Sequence, residues 1–145
     1  MPAEKNSMSD KVFVDTNILI YAHDADQKTK HSIAKKLLVD LLQERRLVLS
    51  PQVLQEFYVN VTRKIRKPLT KSTARGIIED FSVWSTDTSP SDIAAAFRIE
   101  DQSKISFWDA LICASALKSG AKTLLSEDLN PGQKIAGILI KNPFA

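Results

Sequence analysis

Val12-Phe13-Val14-Asp15-Thr16-Asn17-Ile18-Leu19-Ile20 is the stretch that decides how this chain folds. Three consecutive apolar residues read as a short strand, residues 11–14, buried on both faces, because successive side chains of a strand point to opposite sides of its sheet. Asp15 then places a carboxylate at the strand's carboxyl end, and residues 16–22 turn straight into a short helix. Ligand sites of open α/β sheets form at that edge. The same alternation continues along the chain. Residues 28–44 carry Ile33, Leu37, Leu38, Leu41 and Leu42 at helical spacing. Residues 47–49 make a second apolar strand. Ser50-Pro51 joins a capping side chain to a residue pre-set for the first helical turn. It predicts a helix to about Lys64, with Val53, Leu54, Phe57, Tyr58 and Val61 on the buried face. Pro68 and Thr70 mark a loop, residues 73–83 a helix, and residues 84–86 a poor edge strand. Ser89-Pro90 starts a helix to about Glu100, and Ser106 caps another over residues 107–118 that Gly120 ends. Residues 123–125 and 138–140 are the last strands. Such alternation predicts an α/β three-layer sandwich, with a central parallel sheet of four or five strands and helices on both faces.

The 145 residues fit one domain, residues 11–145, behind a polar and charged tail, residues 1–10. That tail lacks the apolar core of a secretory signal, and no apolar run approaches the ~20 residues of a membrane span. A single cysteine, Cys113, excludes an intramolecular disulfide framework and suits a reducing compartment. The expected setting is therefore the cytoplasm, with no membrane partner. The net charge of +3 says little, but its distribution says more. Arg63-Lys64-Ile65-Arg66-Lys67-Pro68-Leu69-Thr70-Lys71 holds five cations and no acid. It reads either as a solvated helix end or as a strip, Arg63, Lys64, Arg66 and Lys67, that contacts phosphates.

Four carboxylates carry the chemistry. Asp15 follows the first strand; Glu56 lies deep in the second long helix; Asp109 opens the helix capped by Ser106; Asp128 follows the strand at 123–125. Each has an ordinary explanation. Asp15 fits an N-cap, and Glu56 fits a solvated stripe with Gln52, Asn60 and Arg63. Ser106 and Asp109 have capping-box spacing, and Asp128 fits a turn with Asn130-Pro131-Gly132. Taken together they converge on one sheet edge, where they would repel unless a cation held them. A hard cation such as Mg²⁺ or Mn²⁺ takes oxygen ligands. Such a site suits phosphodiester hydrolysis, in which the metal activates water and stabilises the leaving oxygen.

Four blocks, in this order, carry a family resemblance: Val12-Phe13-Val14-Asp15-Thr16-Asn17; Ser50-Pro51-Gln52-Val53-Leu54-Gln55-Glu56-Phe57; Ser106-Phe107-Trp108-Asp109-Ala110-Leu111-Ile112; and Leu124-Leu125-Ser126-Glu127-Asp128-Leu129. From Val12 to about Ile140 the chain resembles the PIN-domain ribonucleases, and within them the VapC-type toxins of prokaryotic toxin–antitoxin pairs. The resemblance implies the PIN fold and a Mg²⁺- or Mn²⁺-dependent endoribonuclease. Its acidic quartet matches Asp15, Glu56, Asp109 and Asp128. Asp128 is chosen over Glu127 because the motif has Ser or Thr, one residue, then Asp. Asn17 and Ser126 match its polar helpers. It further implies an RNA substrate, a homodimer, and a small antitoxin whose tail occupies the active-site groove. Two rivals are a PIN-like protein that binds or processes RNA outside a toxin–antitoxin pair, and a haloacid-dehalogenase-like phosphatase. The latter needs a second Asp where this chain has Asn17.

His23 and His31 are expected in structural or solvated roles, since a hard-cation site wants oxygen. Cys113, one turn after Asp109 and without a partnered histidine, is expected to be a small buried residue. Trp108 is expected in the core or an interface.

Overall fold

The computed structural model describes residues 10–145, so the expected tail lies outside the described residues except for Asp10. Among the described residues five strands and six α-helices form the fold. In chain order they are β1 (Val12–Val14), α1 (Thr16–Tyr21), α2 (Thr29–Gln43), β2 (Leu47–Val48), α3 (Pro51–Val59), α4 (Lys71–Ser82), α5 (Pro90–Ser103), α6 (Phe107–Lys118), β3 (Thr123–Leu125), β4 (Lys134–Ile135) and β5 (Ile138–Lys141). The sheet order is β2-β1-β3-β5-β4. β1, β2, β3 and β5 are parallel, and β4 joins the β5 edge antiparallel.

All three residues of β1 are buried, as are Leu124, Leu125, Ile138 and Ile140, so both faces of the sheet are covered. One helical group packs α1 against α2 and α3, and another packs α5 against α6; α6 also contacts β3 and β5. Phe13, Phe57, Ile18, Leu19 and Leu124 are among the largest fully buried side chains of the single core. β1 has β2 on one side and β3 on the other, so the chain changes winding direction beside it. The carboxyl ends of β1 and β3 are where such sheets open a crevice.

The expected elements stand, with four differences. The helix starting at Ser50-Pro51 keeps α-helical bonding only to Val59 and continues as a π-helical turn, Asn60–Lys64. Asn60 Nδ2 and Thr62 Oγ1 donate to the carbonyls of Glu56 and Tyr58, competing with the backbone ladder there, and the amide of Ile65 reaches back to Asn60 O. α4 starts two residues earlier than expected because Thr70 is its cap, accepting from the Thr73 amide at 3.1 Å. The poor edge strand at 84–86 reduces to one parallel bridge between Leu49 and Ser85. β4 carries one buried apolar residue, Ile135, too little pattern to read. It is created by the two-residue turn Ala136-Gly137, both at positive φ, 51° and 85°. That is the hairpin geometry whose twist matches the flanking strands.

Phe57 anchors α3 beside the neighbouring acid Glu56. Phe57→Ala should cost about 3–5 kcal/mol in urea unfolding, the range for deleting a buried aromatic ring; a loss well under 1 kcal/mol would mean that α3 is not held through this ring.

Candidate active site

The register builds the site. Val14 pairs with Leu125, so the next residues, Asp15 and Ser126, emerge side by side at the carboxyl edge. The Asp15 amide donates to Leu125 O at 2.9 Å, and Ser126 Oγ donates to Asp15 Oδ2 at 2.8 Å. Asp15 Oδ1 accepts from the Thr16 amide at 2.7 Å, so Asp15 does cap α1. Capping does not exhaust it, because the side chain is buried together with its charge. Burial pushes its pKa up to about 6, with Asp128 and Glu56 adding to the rise and the bonds from Ser126 and Thr16 opposing it.

The next acids are held by neutral donors from α1. Thr16 Oγ1 donates to Glu56 Oε1 at 2.7 Å. Asn17 Nδ2 donates to Asp128 Oδ2 at 3.0 Å, while Asn17 Oδ1 accepts from the Glu127 amide at 3.2 Å. Ser126 Oγ also accepts from the Asp128 amide at 3.1 Å. Asn17 and Ser126 thus bond to Asp128 and Asp15. Thr16 was missed, although a hydroxyl directly after Asp15, at the start of the helix, was a usable signal.

Asp109 lies in the first turn of α6. Ser106 Oγ accepts its amide at 3.1 Å, so half of the expected capping box forms. The reciprocal bond does not: among the described residues nothing donates to the Asp109 carboxylate. Asp92 shows the contrast, since at the same position of α5 it accepts from the Ser89 amide at 2.8 Å and pairs with Lys118 at 2.9 Å. Gln52 ties α6 to α3, its Nε2 donating to Trp108 O at 3.3 Å. Gln52 is buried, which corrects the solvated stripe proposed for it.

Glu56 and Asp128 border a cleft of about 510 Å³, lined also by Asn17, Gln55, Asn60 and Lys64. Of the four expected phosphate contacts, only Lys64 lies on this cleft. Lys67 lines a separate hollow with Asp24 and Asp26, and Arg63 and Arg66 are exposed. Among the described residues none of the four acids forms an ion pair. Nor do any three carboxylate, histidine or cysteine side chains there already make a group able to hold one ion. Glu56 bonds to Thr16, Asp128 to Asn17 and Asp15 to Ser126. The donor set itself is all oxygen and suits Mg²⁺ or Mn²⁺.

Glu127 goes elsewhere. Its carboxylate accepts from Tyr21 Oη at 2.5 Å and pairs with Lys30. Burial pushes its pKa up, but those two partners outweigh it and hold the group below its ordinary value. His23 Nδ1 donates to Leu19 O at 2.9 Å, and the ring packs edge-on against Phe57 and Phe81; burial lowers its pKa. His31 Nδ1 meets Tyr21 O, so both histidines are structural. Cys113 is buried and its pKa is pushed up to about 12, by burial first and then by the charges of Asp109 and Asp15. Trp108 is 62% exposed, which removes it from the core.

The PIN domain profile matches residues 12–135, and the chain belongs to the PIN domain family, a family of nucleases. No protein of curated function matches it in sequence. Among solved structures it is similar to FitAB bound to the IR36 DNA fragment, at a TM-score of 0.70 and 17% identity over 92% of this chain and 96% of that one. A toxin–antitoxin complex from Klebsiella pneumoniae follows at 0.64 and 22%, over 92% and 98%. VapC20 of Mycobacterium tuberculosis, described as a Sarcin-Ricin loop cleaving toxin, gives 0.58 and 20%, over 79% and 87%. At these identities the likeness is one of fold. The family assignment removes the phosphatase alternative.

The raised pKa of Asp15 sets a pH dependence for the metal-free protein. The folded group binds its proton up to about pH 6, whereas the free group loses it near 3.8. Protonated Asp15 therefore stabilises the fold below the lower value, and that contribution is lost as pH rises through about 6, by up to about 3 kcal/mol. In EDTA, Asp15→Asn should melt above wild type at pH 8, and the difference should close as pH falls towards 4. A difference constant with pH would mean that Asp15 is not a buried, strained carboxylate.

Proposed function

We propose that this chain is a divalent-metal-dependent endoribonuclease and the toxin of a toxin–antitoxin pair, with residues 11–145 as its single nuclease domain. The observation that carries the reading is the set Asp15, Glu56, Asp109 and Asp128: four carboxylates placed just after β1, in α3, in α6 and in the loop after β3, with no cation paired to them among the described residues. Membership in a nuclease family and likeness in fold to VapC20 support it.

In this reading the four acids hold Mg²⁺ or Mn²⁺. When bound, the ion supplies a hydroxide near neutral pH, a grip on the scissile phosphate and charge stabilisation at the leaving oxygen. The chain's own residues do the rest. Ser126 and the Thr16 amide orient Asp15, Thr16 orients Glu56, and Asn17 orients Asp128, each by a neutral donor that leaves the carboxylate's charge in place. Lys64, on the cleft, contacts a phosphate beside the scissile one. The partner is an antitoxin, as in the complexes that share the fold. A second copy of the chain pairs through the exposed face of Phe97, Ile93 and Trp108, where the rings of Phe97, Phe107 and Trp108 form a continuous row. Among the described residues no helix is long and apolar enough to cross a membrane, and we assign the protein to the cytoplasm.

Pure protein should cleave RNA with Mg²⁺ or Mn²⁺ and stop in EDTA, and Asp109→Asn should lose about 100-fold or more in rate while remaining folded. Undiminished cleavage in excess chelator refutes the metal mechanism. RNA binding without cleavage, in wild type with metal, would favour the binding-only alternative.

The basic strip separates by position. In an Asp109→Asn background, Lys64→Ala should weaken RNA binding and reduce the log–log salt slope by up to ~0.7, the scale for one lost contact to single-stranded RNA. Lys67→Ala should change neither. Equal effects of the two would return the strip to a diffuse charged surface.

A further inference from the structure

Glu127 stands between two residues of the site, Ser126 and Asp128, yet does not line the cleft. Its carboxylate is used from the other side. Tyr21, the last residue of α1, donates its hydroxyl to Oε1, and Lys30, in the first turn of α2, pairs with Oε2. The Lys30 ammonium sits 5.0 Å from the centre of the Tyr21 ring and 5.6 Å from that of Phe144, beyond β5. Those two rings meet edge to face, 5.2 Å apart at 88°. An isolated ion pair on a surface holds little. This one is part-buried, with side-chain exposures of 41% and 24%, and fixed by a hydroxyl and two aromatic faces.

The cluster joins the acids through a continuous chain of bonds. The Glu127 amide donates to Asn17 Oδ1, and Asn17 Nδ2 donates to Asp128 Oδ2. The Asp128 amide donates to Ser126 Oγ, and that hydroxyl donates to Asp15. Both edges of loop 126–128 are thus held: its backbone from the site side, its one outward side chain by Lys30 and Tyr21. The Ser126 amide also donates to Lys141 O at 3.0 Å, whereas Asp128 is exposed and its only side-chain partner among the described residues is the amide of Asn17.

We propose that Lys30, Tyr21 and Phe144 form a clamp that acts through Glu127 to position Asp128 for the divalent ion, making Lys30 and Glu127 positioning residues rather than ligands. The inference rests on the metal-nuclease reading above. It takes a surface-looking ion pair and gives it the role that hydrogen-bonded outer partners have at metal sites, where their loss weakens affinity or activity by 10–100-fold.

The test is Mn²⁺ titration calorimetry on the full chain, with RNA cleavage measured across Mn²⁺ concentrations. Glu127→Gln and Lys30→Met should each weaken Mn²⁺ binding about ten-fold. The double variant should be no weaker than either, since both break one clamp. Cleavage should fall at low Mn²⁺ and recover at saturating Mn²⁺, with the KM for RNA unchanged, and Lys30→Arg should restore affinity. Glu127→Gln, which keeps the shape, covers the case in which Lys30→Met fails to fold. Wild type that binds Mn²⁺ in a manner abolished by Asp15→Asn, with unchanged affinity in Glu127→Gln and Lys30→Met, overturns the clamp alone. Wild type that binds no Mn²⁺ overturns the metal reading and the clamp with it.

Discussion

The hydrogen bond from Ser126 to Asp15 is the contact on which the rest depends. It exists because β1 and β3 pair with Val14 opposite Leu125, so one residue later a carboxylate and a hydroxyl meet at the same edge. A slip of one residue in that register would turn Asp15 away from Ser126 and move each side chain of a strand whose three residues are all buried to the opposite face of the sheet, against the wrong packing partners. The core and the site therefore constrain one register together. Burying an ionised carboxylate is costly unless donors reach it. Two do, yet the pKa of Asp15 still rises to about 6, so the donors do not fully offset burial. A protein selected for stability alone would place a neutral residue there.

How the other acids are held follows the same logic. Glu56, Asp15 and Asp128 each take a neutral donor, Thr16, Ser126 and Asn17, and no Lys or Arg among the described residues pairs with them. Some acids elsewhere are paired with a cation instead: Asp92 has Lys118, Asp40 has Lys36 and Glu44 has Arg46. Neutral donors fix direction without cancelling charge, which keeps a local negative potential available for a cation. In the proposed reading the neutral donors that fix three unpaired acids at the β1–β3 crevice are the chemical signature of the site.

Much of this was legible in the chain. Short, mostly apolar strands just before Asp15 and Ser126, and Ser-Pro starts at Ser50 and Ser89, carry local signals strong enough to predict element type and order. Asn17 and Ser126 were legible through the family resemblance, not through a local signal of their own. What was not legible depends on contacts between distant segments. Nothing local tells that Gln52 is buried against Trp108 or that Glu127 is taken by Lys30, 97 residues away. The π-helical turn was hidden because periodicity through Val61 continues the helix, whereas the competing bonds of Asn60 and Thr62 break its ladder. That turn separates the basic strip, sending Lys64 to the cleft and Lys67 to another hollow. Trp108 is exposed because its neighbours in α6, Ala110 to Ala116, already fill the core face.

The most direct test of the central claim is the position of a bound ion. A crystal grown with Mn²⁺ and measured at the manganese absorption edge should show an anomalous peak at about 2.0–2.3 Å from a carboxylate oxygen of Asp15, with at least one of Glu56, Asp109 and Asp128 also in contact. A well-ordered site with no peak, or a peak held only by acids outside the β1–β3 crevice, would contradict the account.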